Sequence, residues 1–325
     1  MFVPAIPLHR RVVMSAGLCL ALLVVASLAI GVEEISLSST ARSVPLADLL
    51  SISRLPRTLA AVLCGAGLAV AGQILQTLTR NRFVEPSTAG TAQSAALGIL
   101  IVTLFLPAAG LGMKALVASI CALAGTALFL STAHRLPPEQ PHLVPLFGMV
   151  YGGVVGAAVT YVAWQNDLLQ YLDIWTNGEF SGVLRGRYEL LFVAVVIVAV
   201  AMLIAERLTI MALGEAQATS LGIDYRRMTQ IGLVLVSVMS ALSVVVVGLI
   251  PFVGLVVPNL VSRLSGDNLR GTLPLTALGG AILVLASDIA GRIIRFPYEI
   301  PVGTVMGVIG PAVFLWFVLQ ERRDA

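Results

Sequence analysis

Residues 228–262 read MTQIGLVLVSVMSALSVVVVGLIPFVGLVVPNLVS, thirty-five positions without a charge between Arg227 and Arg263. A bilayer core of about 30 Å is crossed by roughly 20 apolar residues. As one helix this stretch would run about 50 Å, too long for a single crossing without extreme tilt. Pro251, Gly254 and Pro258 lie inside it. Proline removes a helix hydrogen bond and glycine weakens a helix interior, so the stretch divides into a full span and a short, proline-bearing one. A chain built this way lives in a membrane.

Working outward, further charge-free windows lie between Arg11 and Glu33, Arg57 and Arg80, Glu85 and Lys114, Lys114 and His134, and His142 and Asp167. Others run from Glu189 to Glu206, Arg270 to Asp288 and Glu299 to Glu321. The expectation is an all-α, polytopic membrane protein of about ten transmembrane helices, forming one permease-sized domain over residues 1–325. The window after Glu85 starts Pro86-Ser-Thr-Ala-Gly90, so its helix is expected near Ala92 after a loop-like or re-entrant entry. The N-terminal apolar run of about 21 residues exceeds the roughly 7–15 of a signal-peptide core, so a retained first helix is expected. The longest polar connections fall at 33–56, 166–188 and 206–227.

Composition excludes the soluble classes. Of the residues, 58% are hydrophobic and 11% charged, against about 45–50% and 25% in soluble domains. Too few charges remain to cover a soluble enzyme, a disordered chain or an ordinary nucleic-acid binder, and no nucleic-acid partner is expected. Cys19, Cys64 and Cys121 sit singly in apolar runs, and His9, His134 and His142 have no ligand spacing, so neither metal nor cofactor is expected. The only lysine, Lys114, follows Gly112-Met113, which rules out a G-x-x-x-x-G-K-[ST] phosphate loop. If ATP drives this protein, another chain hydrolyses it. No G-x-S-x-G or H-E-x-x-H motif and no paired-carboxylate constellation is present, and the chain is not expected to be an enzyme.

An even number of spans places both termini on one side. With cytoplasmic termini, 12 of the 20 basic residues lie inside, in line with the positive-inside rule. The other eight are Arg42, Arg54, Arg57, Lys114, Arg185, Arg187, Arg292 and Arg295. Asp288 and Arg292, four apart, face each other on one helix turn and read as an interface-anchoring ion pair. A stand-alone secondary carrier would have to use Asp288 as its coupling group. Gly148, Gly152 and Gly156 in the fifth span, and Gly303 and Gly307 in the tenth, form small-residue stripes. Such stripes serve packing within a chain, a subunit interface or a smooth translocation wall.

Three stretches are more specific. The first is Arg54-Leu55-Pro56-Arg57 with Gly65-Ala-Gly67 and Gly72-Gln73. The second is Ala212-Leu213-Gly214-Glu215 through Leu221-Gly222. The third comprises Pro251-Phe-Val-Gly254, Pro258-Asn259, Asp288 to Arg292, and Glu299-Ile-Pro301-Val-Gly303. Their order and spacing resemble the FecCD-type permeases, membrane subunits of ATP-binding-cassette importers for ferric siderophores, haem and vitamin B12.

The resemblance implies a fold like the vitamin B12 importer permease in a bacterial cytoplasmic (inner) membrane. It implies a second permease subunit (a homodimer or a heterodimer), two cytoplasmic ATPase subunits, and a periplasmic or lipoprotein substrate-binding protein. Arg54, Arg57 and Arg292 would then dock acidic residues of the binding protein, with Arg295 assisting. A coupling segment at about 210–224 would seat in the ATPase, through Leu213, Gly214, Glu215, Leu221 and Gly222. Asn81 and Phe83 take a gate role, and Gly148, Gly152, Gly156, Gly303 and Gly307 line the path. Most of the family reads Asn-Pro-Leu-Ala where this chain has Asn81-Arg82-Phe83-Val84, which is similar to the branch for catechol or anguibactin-type ferric siderophores. An intact ferric-siderophore chelate is the implied cargo, with haem or vitamin B12 as alternatives. Asn259 stands where the wider family often has His.

Overall fold

The computed structural model describes residues 6–30, 50–137, 140 and 142–324. Most of the 33–56 connection, with Arg42, lies outside the described residues. The chain opens with α1 (Ile6–Ala29), then a π-turn at Leu50–Arg54 that runs into α2 (Leu55–Thr79). Next come α3 (Thr91–Phe105), α4 (Leu111–Ala133), α5 (Leu143–Gln165) and the short α6 (Leu169–Thr176). A 3-10 turn leads into α7 (Val193–Leu203) and α8 (Ala205–Met211), and the pair is bent by 64°. The short α9 (Glu215–Ser220) precedes α10 (Tyr225–Val246), α11 (Val253–Ser265), α12 (Leu269–Ile294) and α13 (Val302–Asp324).

Six helical stretches are long and apolar enough to cross a membrane alone: α1, the π-turn with α2, α4, α5, α10 and α12. The bent pair α7–α8 makes a seventh, and α3, α11 and Val302–Trp316 of α13 are shorter apolar helices. Together they occupy the ten charge-free segments of the sequence. The uncharged stretch divides as its prolines predict, with α10 ending at Val246 and α11 beginning at Val253. Helix α3 begins at Thr91, one residue before the expected Ala92. With 15 and 13 residues, α3 and α11 cover only about 22 and 20 Å at 1.5 Å per residue. Non-helical backbone must complete both crossings.

Helix α2 is the axis of the bundle and packs on α12, α10, α11 and α7. It is buried along most of its length, including Ala60, Ala61, Ala69, Leu75 and Leu78. Lipid offers no hydrophobic drive for helices to associate, so close backbone approach through small residues supplies the packing. A Cβ added at Gly72 would overlap the Gly254 carbonyl of α11. Helices α1 and α5 turn Met14, Leu18, Leu22, Val150 and Val154 outward.

Loop contacts define two ends. At the Arg54 end, Arg185 N–H donates to Ile52 O (3.1 Å) and Gly303 N–H to Gly178 O (2.8 Å). At the Glu215 end, Leu269 N–H donates to Thr209 Oγ1 (3.1 Å), and Arg270 pairs with Glu206.

Replacing Gly72 by Ala should destabilise the purified protein by about 1–3 kcal/mol, because the obstacle is backbone that cannot move aside. Gly17→Ala on α1, where an added Cβ meets nothing within 4 Å, should be neutral or stabilising by up to about 1 kcal/mol. Unfolding in detergent with the two variants side by side checks the contrast.

Candidate functional site

The loop 80–90 and the break between α10 and α11 enter the bundle from opposite ends and meet inside it. Arg80, in the left-handed region (φ 48°), closes α2. Asn81 Oδ1 accepts from Phe83 N–H (2.9 Å), which folds the chain back inward. The Phe83 ring then meets Phe314 of α13 edge-on, with centroids 5.7 Å apart. Glu85 is 2% exposed, and its carboxylate accepts from Phe252 N–H (2.8 Å) and from the Ser87 hydroxyl. A helix N-terminus carries orphan donors and a partial positive charge, so a carboxylate answers both where water is excluded.

Two further contacts fasten the loop to α11 and its exit, one from Asn259 and one from Asp267. Asn259 Nδ2 donates to Arg82 O (2.8 Å) and to Leu255 O (2.7 Å). Arg82 pairs with Asp267 at 2.7 Å. A cavity of about 300 Å³ lies beside these contacts, lined by Gln73, Thr77, Asn81, Asn259 and Ser262 among others. The two gate candidates therefore sit on one fastened segment, Asn81 on this cavity and Phe83 against α13. Glu85, its deepest tie, was not singled out by the sequence reading: a single Glu before Pro86 looks like any loop carboxylate.

The three arginines expected to dock a partner do converge at the Arg54 end, but they point inward. Arg54 and Arg292 are 7% and 6% exposed. Arg57 Nη2 lies 2.8 Å from Asp288 Oδ1, and its Nη1 lies 2.8 Å from Glu299 Oε2. Arg292 Nη2 pairs with Asp288 Oδ2 (2.8 Å), while its Nη1 donates to Ser27 O (3.1 Å) and Ile30 O (2.9 Å). Arg54 Nη1 donates to Leu28 O (2.9 Å). The last carbonyls of α1 have no partner in their own helix, and guanidinium groups satisfy them and suit that helix end. Two cations, Arg57 and Arg292, balance two anions, Asp288 and Glu299. The Asp288–Arg292 pair is the one read from its spacing; Arg57 and Glu299, 242 positions apart, left no such signal. Arg295 stays exposed, its guanidinium 5.7 Å from the centre of the Tyr298 ring.

At the opposite end, the expected coupling segment forms α9. Gly214 (φ 106°) and Gly222 (φ 82°) bracket it in conformations that side chains resist. Glu215 is exposed, and Leu213 and Leu221 are 58% and 61% exposed. The Arg80 guanidinium lies against Gly214, 3.0 Å from where a Cβ would stand.

The five path glycines separate. Gly148 lies against the Thr88 carbonyl, and Gly303 against Gly178 and Leu249. Gly152 and Gly156 border Gly90 and the Gln93 side chain. An added Cβ at Gly307 would meet nothing within 4 Å. Packing within the chain accounts for the first two, and Gly307 faces outward from this subunit.

Residues 19–320 match the model of the FecCD transport family. The chain is 42% identical over 307 residues to the petrobactin import system permease protein YclN of Bacillus subtilis, covering 94% of this chain and 97% of that one. It is 41% identical over 271 residues to the ferric-anguibactin transport system permease protein FatD of Vibrio anguillarum, covering 83% and 86%. It superposes on an inward-facing conformation of a metal-chelate type ABC transporter with a TM-score of 0.79 at 26% identity, covering 96% of this chain and 99% of that one.

Removing the carboxylate that both arginines share should be costly. Asp288→Ala leaves the buried Arg292 and the half-buried Arg57 under-compensated and should cost about 3–5 kcal/mol. Glu299→Ala, at the more open edge of the cluster, should cost about 1 kcal/mol or less. Unfolding midpoints in detergent give the ranking, and equal losses would contradict it.

Proposed function

The chain belongs to the FecCD transport family, and on that premise we propose how it works as the membrane subunit of an ATP-binding-cassette importer. The observation that carries the proposal is α9. It is a six-residue helix with exposed leucines at both approaches, held out between two left-handed glycines. A monomeric soluble surface has little reason to present such a knob; a groove in a partner subunit does. Leu213 and Leu221 are its apolar anchors and Glu215 its charged contact. The Glu215 end is then the cytoplasmic one, and ten crossings put both termini there.

Movement of α9 reaches the interior through Gly214 and the Arg80 guanidinium packed on it. From there the loop 80–90 transmits it, with Phe83 on α13 and Glu85 on α11 as its bearings. Rigid-body shifts of such fastened elements open and close a path without new chemistry. The cargo is an intact ferric siderophore. The relatives that import petrobactin and anguibactin support this class, as does the Arg82-Phe83-Val84 sequence of the loop.

A second permease subunit closes the path, with the outward Gly307 of α13 at or near its seam. An external binding protein delivers the cargo to the Arg54 end. The buried Arg54 and Arg292 and the half-buried Arg57 form the frame beneath that docking face by joining α1, α2 and α12. The exposed Arg295 presents the guanidinium that meets a carboxylate of the binding protein. Asp288 is already held by Arg57 and Arg292, so nothing in its geometry favours a stand-alone carrier.

Reconstituted with an ATPase and a binding protein, the permease should take up ferric siderophore only with ATP. Leu213→Asp with Leu221→Asp should reduce both ATPase co-purification and uptake about tenfold or more, as the loss of interface anchors does. The melting temperature should be little changed. Uphill uptake by this chain alone would overturn the proposal.

A further inference from the structure

Pro258, Pro274 and Pro311 stand past the first turn of their helices. Each lacks an N–H, so the carbonyl four residues behind it loses its usual donor. Pro258 of α11 frees Gly254 O inside the bundle, and Gln76 Nε2 of α2 donates to it (3.1 Å). Pro274 of α12 frees the carbonyl of Arg270, an exposed residue of the first turn at the Glu215 end. Pro311 of α13 frees Gly307 O, and no side chain among the described residues takes the place of the missing donor.

That carbonyl is also uncovered. Gly307 is exposed and brings no side chain of its own, and an added Cβ there would meet nothing within 4 Å. One turn earlier, Thr304 is exposed as well, and its hydroxyl has no partner among the described residues. Thr103, Thr132 and Thr160, on α3, α4 and α5, each return the proton to the carbonyl four residues back (2.8, 3.1 and 2.9 Å). Thr304 stands in the first turn of α13 and has no helical carbonyl behind it to use.

The two groups share one face. Thr304, Gly307, Val308, Ala312 and Leu315 recur at helical spacing and are all exposed. Met306 and Gly310, on the other side, are buried against Ser287 and Phe252. Both polar groups fall in the uncharged window between Glu299 and Glu321. Hydrocarbon offers no donor, and unpaired backbone at this depth is tolerated where protein buries it or where it borders a water-filled cavity. This chain does not bury Gly307 O, which leaves water.

We propose that this face of α13 borders the water of the cargo path, and that Gly307 O and the Thr304 hydroxyl form a rung on its wall that hydrogen-bonds N–H and O–H groups on the rim of the passing chelate. The proposal rests on the reading that a chelate passes between two permease subunits. Neutral groups of this kind hold cargo too weakly to trap it, which suits passage. The rung also accounts for a proline in a helix that an unbroken ladder would make more stable.

The test uses the assembled importer in lipid nanodiscs. Thr304→Cys and Val308→Cys are treated with a charged, membrane-impermeant methanethiosulfonate, and mass spectrometry locates the adducts. The native Cys19, exposed on α1 within its own uncharged window, is the lipid-facing control. Because thiols react as thiolates, which an apolar environment suppresses, both introduced thiols should react about tenfold or more faster than Cys19. Thr304→Val removes a hydroxyl that no other part of the chain uses, so it should slow ATP-driven uptake about threefold or more without changing assembly or melting temperature, and Thr304→Ser should restore the rate. Pro311→Ala supplies the missing N–H and should slow uptake likewise while raising the melting temperature. Labelling no faster than at Cys19 would put the face in lipid or dry against a partner and overturn the proposal. Undiminished uptake in Thr304→Val or Pro311→Ala would show the rung idle and overturn it as well. If Pro311→Ala does not assemble, the labelling and the Thr304 pair decide. Labelling needs no ATP, so its result stands even if the import reading fails, and slow labelling beside normal wild-type uptake overturns this proposal alone.

Discussion

In a bilayer core no water waits to pair with a backbone that leaves its helix, so every break must bring its own hydrogen-bond partners. The structure depends on how this is done at Glu85. The break before α11 frees the Phe252 N–H from any helix, and one carboxylate from a loop of opposite entry accepts it. Phe252 sits at φ 68°, a conformation few side chains adopt. Its N–H held by Glu85 and its ring packed at Gly310 of α13 keep it there. Short helices and irregular segments are tolerated at this depth because protein, not lipid, surrounds them.

The same rule organises the Arg54 end. Helix α1 ends at Ala29, and its last carbonyls are met by Arg54 and Arg292. Buried guanidinium groups need anions: Asp288 pairs with both Arg292 and Arg57, and Glu299 pairs with Arg57. A cluster of this kind is weak evidence of net stabilisation, since desolvation offsets much of the attraction. What it confers is a fixed relation between α1, α2 and α12. That relation places Arg295 and Tyr298 outside the cluster, where both are exposed.

The two ends are thereby given different characters. One is locked by ion pairs and helix-end hydrogen bonds. The other carries an exposed apolar knob, α9, that touches the central loop through Gly214 and Arg80. A polar cavity beside Asn81 and Asn259 lies at the α9 end, and a mainly apolar slot lies beside Gln93. The proposed importer would use this asymmetry, driven from one side and loaded from the other.

Much of this was legible from residue order alone. Hydrocarbon tolerates so few charges that the uncharged windows mark the spans. Pro251, Gly254 and Pro258 announced the break between α10 and α11, and Pro86 to Gly90 announced the late start of α3. The glycine-bounded segment around Glu215 marked α9, and the four-residue spacing marked the Asp288–Arg292 pair. These signals are local, carried by backbone chemistry within a few positions. Only the tertiary structure decided which way Arg54, Arg57 and Arg292 face, that Glu85 closes the N-terminus of α11, that Asn259 clamps the Arg82 carbonyl, and that Gln93 lies over Gly152 and Gly156. Each of these joins side chains from separate elements, and whether an arginine meets solvent or a carboxylate 242 residues away depends on packing that spacing along the chain does not encode.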